Sequence, residues 1–309
     1  MMSNNSFLVV IDPSRDDQPA LERAAHLARC TGIPLTLFLS IFDFSYEMTA
    51  MLSQDEREAM RNGVLAQRQQ WLEQLAAPLI DEGINVAIKV VWHNRPYESI
   101  IDYTLENPID YIIKSTHAHD KVKSVIFTPT DWHLLRKAPV PVLLVKENDW
   151  PAQGNIIAAV NVAAEDEQHQ ELNQRIVENA VKLAKVINAN VHLVNGYPGT
   201  PVNIAIELPD FDAHAYNQSI KEHHQIRIEQ LAKQFEIPET QCHVKEGLAE
   251  DVIPELAAEL SAELVMLGTV GRSGISAALI GNTAEHVIDS LDCDLVAFKP
   301  KDFECPLAK

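Results

Sequence analysis

The stretch with the most chemical potential reads GTVGRSGISAALIGNTAEHVI, residues 268–288. Gly268 and Gly271 have two residues between them, Gly271 and Gly281 have nine, and Asn282 and Thr283 follow directly. Glycines let a backbone approach an anion closely because no Cβ stands in the way. A helix opening at Asn282 and Thr283 would aim free N–H groups at that anion, and either side chain could add a donor. The alternative is a glycine-rich turn in which Asn282 only caps a helix, the commoner use of that residue type. Spacing alone leaves both readings open.

Other chemistry-bearing patterns are absent or incomplete. No two of the 11 glycines are separated by a single residue, so there is no GxGxxG dinucleotide fingerprint; no GxxxxGK[ST] loop and no GxSxG elbow occurs either. His117, His119 and Asp120 offer three zinc-ligand types within KSTHAHDKVKS, residues 114–124, without a mapped fourth, so a solvated cationic loop is expected and an anion site is the intermediate reading. His223 and His224, with Glu222 and Glu246, make no better case, since adjacent helical residues point to different sides. The four cysteines have no CxxC pairing, which argues against a disulfide framework or cysteine zinc site and fits a reducing compartment. Met48, Met51, Met60, Phe42, Phe44 and Tyr46 either line an apolar groove or pack, and core packing is expected. No nucleophile has a base in sequence context and no carboxylates pair by spacing, so no metal centre and no catalytic set is expected.

The elements that must position the glycine segment repeat through the chain. At a shift of 153 residues, Val91–His119 lies on Val244–Arg272 without a gap, Ile100 on Ile253 and Ile112 on Val265, and the register carries on to Lys146 over Lys299. Short β-branched runs alternate with helical patterns: Phe7–Asp12, Leu35–Ile41, Val86–Trp92, Tyr111–Ser115 and Val140–Lys146, then near Ile156, Val191, Cys242, Leu264 and Leu295. Near-continuous apolar runs suit strands buried on both faces, and the helices between them suit crossovers, which predicts a parallel α/β sheet in each half. Asp17–Cys30 reads as a helix capped by Asp16 or Asp17, with Pro19 in its first turn and Leu21, Ala24, Ala25, Leu27 and Ala28 on one face. ENDWPAQG, Glu147–Gly154, reads as a linker between domains at 1–149 and 150–309.

Composition bounds the rest. The 309 residues favour two domains, and 46% hydrophobic content supports two cores. The longest apolar run near the start, Phe7–Ile11, falls far short of the ~20 residues of a membrane span, so a cytoplasmic protein is expected. A net charge of −19 disfavours general nucleic-acid binding. The first half holds 14 basic and 20 acidic residues, a net −6, and the second 11 and 24, a net −13. Phosphate in the second half would therefore rest on backbone donors or a metal ion.

The spacing G-x2-G-x9-G followed by small polar residues, ahead of a helix and a last strand, resembles the ATP-binding signature of the universal stress protein family. VGRSGIS, GNTAEHVI and, in the first half, KAPVPVLLV are similar to family segments, and the tandem layout resembles its two-domain members. The resemblance implies two tandem five-stranded, parallel, Rossmann-like domains of strand order 3-2-1-4-5, a stress-response role and, in some members, ATP bound after the fourth strand. Carried over, it assigns the phosphates to the backbone at Gly268, Gly271 and Gly281, a pairing role to Arg272, and donor roles to Asn282 and Thr283, where the family has Ser or Thr. At the end of the first strand, where binders have Asp, this half has Asn161 followed by Val162. Gly247 fits the pattern as a structural turn residue.

In the first half Ser115, Ala118, Thr128, Pro129 and Thr130 stand where the second has Gly268, Gly271, Gly281, Asn282 and Thr283. Side chains occupy the approach and Pro129 lacks an N–H, although Asp12 keeps the acidic strand end. The expectation is a binding protein that takes a small phosphorylated, ATP-like ligand with Mg²⁺ in its second half, with weak ATP hydrolysis at most; Asp251 or Asp289 would then have to serve the metal. The other expectation is an adaptor that buries an apolar or amphiphilic ligand, the glycine loop being vestigial. The family further implies that the halves pair as an intramolecular pseudo-dimer.

Overall fold

The computed structural model describes residues 5–45, 53–119, 122–146, 148–200, 212–269 and 281–308. The chain forms two units: Met1–His117 with Phe127–Val145 and Glu304–Lys309, and Ala118–Ile126 with Lys146–Phe303.

In the first unit the elements run β1 (Ser6–Val10), α1 (Pro19–Thr31), β2 (Leu35–Ile41), α2 (Gln54–Asp81), β3 (Val86–Trp92), α3 (Pro96–Glu106) and β4 (Ile109–Ser115). A short pair, β5 (His117–His119) and β6 (Val122–Ile126), precedes α4 (Pro129–Lys137) and β7 (Val142–Val145). The strands lie parallel in the order β3-β2-β1-β4-β7, which is 3-2-1-4-5 for the domain. Leu8, Leu35, Leu37, Ile112 and Ile113 are fully buried at its centre, each side chain contributing about 1.5–3 kcal/mol.

The second unit repeats the order with β8 (Asn155–Ala159), α5 (Glu167–Ile187), β9 (Asn190–Tyr197), α6 (Ala213–Gln234), β10 (Cys242–Glu246), α7 (Ala249–Glu259), β11 (Leu264–Gly268), α8 (Asn282–Ser290) and β12 (Asp294–Phe298). Its parallel order is β10-β9-β8-β11-β12, again 3-2-1-4-5. The α/β class and the strand order expected from the sequence hold in both units.

Four local expectations need correction. The strand Val86–Trp92 is not buried on both faces: β3 is the outer strand of its unit, packed against α2, and half-buried positions alternate with exposed ones along its first part. Helix α1 is capped by neither Asp16 nor Asp17. Gln18 is its N-cap, and the Gln18 side chain accepts the Asp12 N–H at 3.1 Å and donates to Asp12 O and Arg15 O at 2.7 and 2.8 Å, while Asp17 is held by Arg15. Pro19 follows at N1, where its missing N–H costs no helical bond. Phe44 and Met60 are exposed rather than core, and Phe42 packs against Trp92 at a ring separation of 5.8 Å; Tyr46, Met48 and Met51 lie outside the described residues. The segment expected as a cationic loop carries the β5/β6 pair instead, with Asp120 and the side chains of His117 and His119 outside the description.

Candidate functional site

In the second unit a cleft of about 1120 Å³ opens beyond the carboxyl ends of β8, β9 and β11. This is where the strand order reverses, between β8 and β11, and where parallel α/β sheets leave a crevice. Helix α5 supplies one wall because Leu172, Asn173 and Ile176 fall on the stripe it buries. Helix α6 contributes Ile220, His223 and His224, and the start of α8 contributes Thr283, Ala284 and Val287. None of the described lining residues is Asp, Glu, Lys or Arg, in a half whose net charge is −13. Neither Asp251 nor Asp289 lines the cleft.

Buried amides hold its floor in place. Asn173 brackets the second residue after β8, accepting the Asn161 N–H at 3.0 Å and donating to Asn161 O at 2.8 Å. The next N–H, of Val162, donates to Asn195 Oδ1 at 3.1 Å. That bond orients the Asn195 amide, whose Nδ2 then donates to His224 Nδ1 at 2.7 Å. His224 is therefore the neutral Nε2–H tautomer. Burial, and then the neighbouring His223, push its pKa below the ordinary histidine range, which agrees with that assignment. His223 itself is exposed, as expected for adjacent helical residues, though both line the cleft.

The glycines play two different parts. An added Cβ at Gly268 would stand 2.5 Å from Leu172 Cδ2, so a side chain there would force Leu172 of α5 to shift where it packs on the end of β11. Gly281 is the N-cap of α8 at φ −64°, ψ 143° and needs no left-handed backbone; it, not Asn282, holds the cap position, and no side chain accepts there. Among the described residues, none caps the first N–H groups of α8. Gly247 does need its glycine, at φ +140°, with its N–H donated to Tyr197 O at 2.8 Å and a Cβ position 3.0 Å from Val252 Cγ2.

The corresponding place in the first unit is much smaller, at about 180 Å³. There α4 caps itself: Thr128 accepts the Asp131 N–H at 3.3 Å, and Asp131 Oδ2 accepts from Thr128 N and Oγ1 at 2.7 and 2.8 Å. Asp131 Oδ1 is ion-paired with Lys114 Nζ at 2.8 Å, and Ser115 Oγ accepts the Ala20 N–H at 2.9 Å. An internal carboxylate and its lysine fill the helix start here, whereas no described side chain caps its counterpart in the second unit. Asp12 is likewise engaged, accepting from Ser14 N and Oγ at 2.9 and 2.6 Å.

Of the residues singled out in the sequence, Asn161, Gly268, Gly281 and Thr283 converge on one cleft, and Val162 joins it through Asn195. Gly271 and Arg272 lie outside the described residues, as does the side chain of Asn282, whose backbone opens α8. Asn173 and Asn195 were missed, and His224 was weighed only as a metal ligand and not as the partner of Asn195. Each carries a signal: Asn195 continues the buried alternation of Val191 and Leu193, and His224 precedes buried Ile228 by four residues and Leu231 by seven. A polar residue in an apolar phase is what marks a buried network.

Comparison with known proteins places these observations. The sequence profile described as the Universal stress protein family matches residues 4–146 and 160–299. The chain is 51% identical over 308 residues to Universal stress protein E of Escherichia coli (strain K12), covering 99% of this chain and 98% of that one. It is 43% identical over 304 residues to the homolog of that protein in Haemophilus influenzae, covering 97% and 98%. Among solved structures, a functionally unknown protein from Pseudomonas aeruginosa PAO1 superposes with a TM-score of 0.76 at 30% identity, covering 97% of this chain and 94% of that one. A universal stress protein from Archaeoglobus fulgidus DSM 4304 shares the fold at a TM-score of 0.64 and 16% identity, with 98% of both chains covered. With both halves matched and a half-identical relative aligned along almost its whole length, this chain belongs to the universal stress protein family.

Proposed function

We propose that this protein serves the stress response in the cytoplasm as a binding protein whose second unit takes a small phosphorylated ligand of the ATP kind, with Mg²⁺, and carries out weak ATP hydrolysis at most. The observation that carries the reading is the asymmetry of the two units: about 1120 Å³ beside a helix start that no described side chain caps in one, about 180 Å³ beside a self-capped helix in the other. The apolar walls around Leu172, Ile176 and Val287 suit the body of such a ligand, and the N-terminal N–H groups of α8 suit its phosphate. Mg²⁺ offsets the repulsion between a polyphosphate and a half of net charge −13.

Calorimetric titration of ATP into the full-length protein, with and without Mg²⁺, tests this. One site per chain that weakens without the metal is expected. The uncharged described lining favours a second reading, a carrier for an apolar or amphiphilic ligand. Absence of ATP binding in both titrations, with a lipid-sized mass retained in native mass spectrometry of the fresh protein, would decide for the carrier.

A further inference from the structure

The outer edge of the second unit's sheet carries two imidazoles that the cleft does not use. His192 in β9 and His243 in β10 face each other, Nδ1 of the first 3.0 Å from Nε2 of the second, with ring centroids 5.3 Å apart. On its other side His192 Nε2 lies 3.2 Å from Asn155 Oδ1. Asn155 Nδ2 donates to Leu260 O at 2.8 Å, which makes Oδ1 the acceptor and His192 Nε2 the protonated nitrogen. The Nδ1 of His192 therefore presents a lone pair towards His243.

We propose that His192 and His243 chelate one divalent transition-metal ion of the copper, nickel and zinc class at this sheet edge. Holding one ring nitrogen as a donor to a fixed acceptor, so that the other points a lone pair outward, is how proteins orient metal-binding histidines, and Asn155 anchored on Leu260 does this for His192. Two nitrogens 3.0 Å apart match neighbouring ligands on one ion with bonds of about 2.0–2.1 Å. Imidazole nitrogen suits these borderline ions, and copper binds such sites most tightly of the three. Among the described residues no group of three or more His, Cys, Asp or Glu gathers, so water completes the coordination.

The surroundings favour the neutral rings a metal requires. Both histidines are pushed below the ordinary range, His192 by burial and then by His243, His243 by burial and then by Lys245. Lys245 is paired with Glu259 at 2.6 Å, so the charges beside His243 nearly cancel. Both rings are only half-buried, and β10 is the outer strand, which leaves the pair open to an ion from solvent. On binding, His243 moves its proton from Nε2 to Nδ1, and the hydrogen bond between the rings gives way to two bonds to the metal without net proton release.

The test is titration of full-length protein with Cu²⁺ against glycine as competitor, read by electron paramagnetic resonance. One copper per chain with two imidazole nitrogens is expected. In His243→Gln the amide can still donate to His192 Nδ1, so the fold keeps its hydrogen bond while the ligand is lost, and affinity falls at least ~10-fold; Asn155→Ala loosens the first ligand and costs about 10-fold. Equal copper affinity in wild type and His243→Gln overturns the proposal. Should a variant fail to fold, Zn²⁺ added to wild-type protein with ¹⁵N-labelled histidines decides: shifts at His192 and His243 support the site, and shifts confined to other histidines refute it.

Discussion

Asn195 Nδ2 donates to His224 Nδ1 across 2.7 Å while its Oδ1 accepts the Val162 N–H at 3.1 Å, so a single buried side chain ties the exit of β8 and the helix α6 to strand β9. The bond exists only while His224 is neutral, because a protonated Nδ1 would face an amide NH₂. Replacing Asn195 by Leu leaves both partners unsatisfied inside the unit. A loss of about 2–3 kcal/mol in urea unfolding is expected; a change below half of that would show that water replaces the amide.

The pH dependence follows with a definite sign. The folded-state pKa values of His224, His192 and His243 lie below the unfolded value of about 6.5. Their contribution to stability is complete above that value and is lost as pH falls below it, because the unfolded chain takes up protons that the folded chain resists. Melting temperatures recorded from pH 8 downwards should hold and then decline below about 6.5. His224→Gln should decline less steeply than wild type.

Gly268 and Leu172 cannot both keep their positions if the glycine gains a side chain, given the 2.5 Å separation from Leu172 Cδ2. Gly268→Ala should cost about 1–3 kcal/mol by overpacking. In Gly268→Ala/Leu172→Ala the methyl has room, so the double variant should be more stable than the sum of the two single losses implies. Additive losses by chemical denaturation would mean that the strand end, and not Leu172, sets the limit.

In the first unit, Lys114→Met removes the cation from a carboxylate that is fully buried. A loss of about 3 kcal/mol is expected. Lys114→Met/Asp131→Asn should recover part of it, since the amide oxygen can still serve Thr128. A double variant no more stable than Lys114→Met would place the loss in the lysine's packing instead.

Gly281 sits at φ −64°, ψ 143°, a conformation open to any residue. Gly281→Val should fold normally, yet its branched Cβ stands beside the first N–H groups of α8. Affinity for Mg-ATP should fall at least ~10-fold, the loss of about one charge-assisted hydrogen bond. Unchanged calorimetric affinity in Gly281→Val would remove the helix start from the binding mode.

The repeat, the α/β class and the glycine segment were legible along the chain, and the strand order followed from the resemblance to the family. Ile100 over Ile253 and Ile112 over Val265 report the repeat, and the apolar periods that make each strand or helix lie within a few neighbouring residues. The difference between the units was also visible in part, since Ser115, Thr128 and Pro129 replace glycine and asparagine. Tertiary structure alone decided what those replacements do: Lys114 and Asp131 meet as an ion pair only because β4 ends beside the start of α4. The same holds for Asn195 with His224, 29 residues apart, and for His192 with His243, 51 apart. Periodicity sets the face on which each side chain lies, but which faces become neighbours depends on the crossover order of the sheet. A polar side chain declares its partner only when the strands and helices that carry both have packed and taken the water between them away.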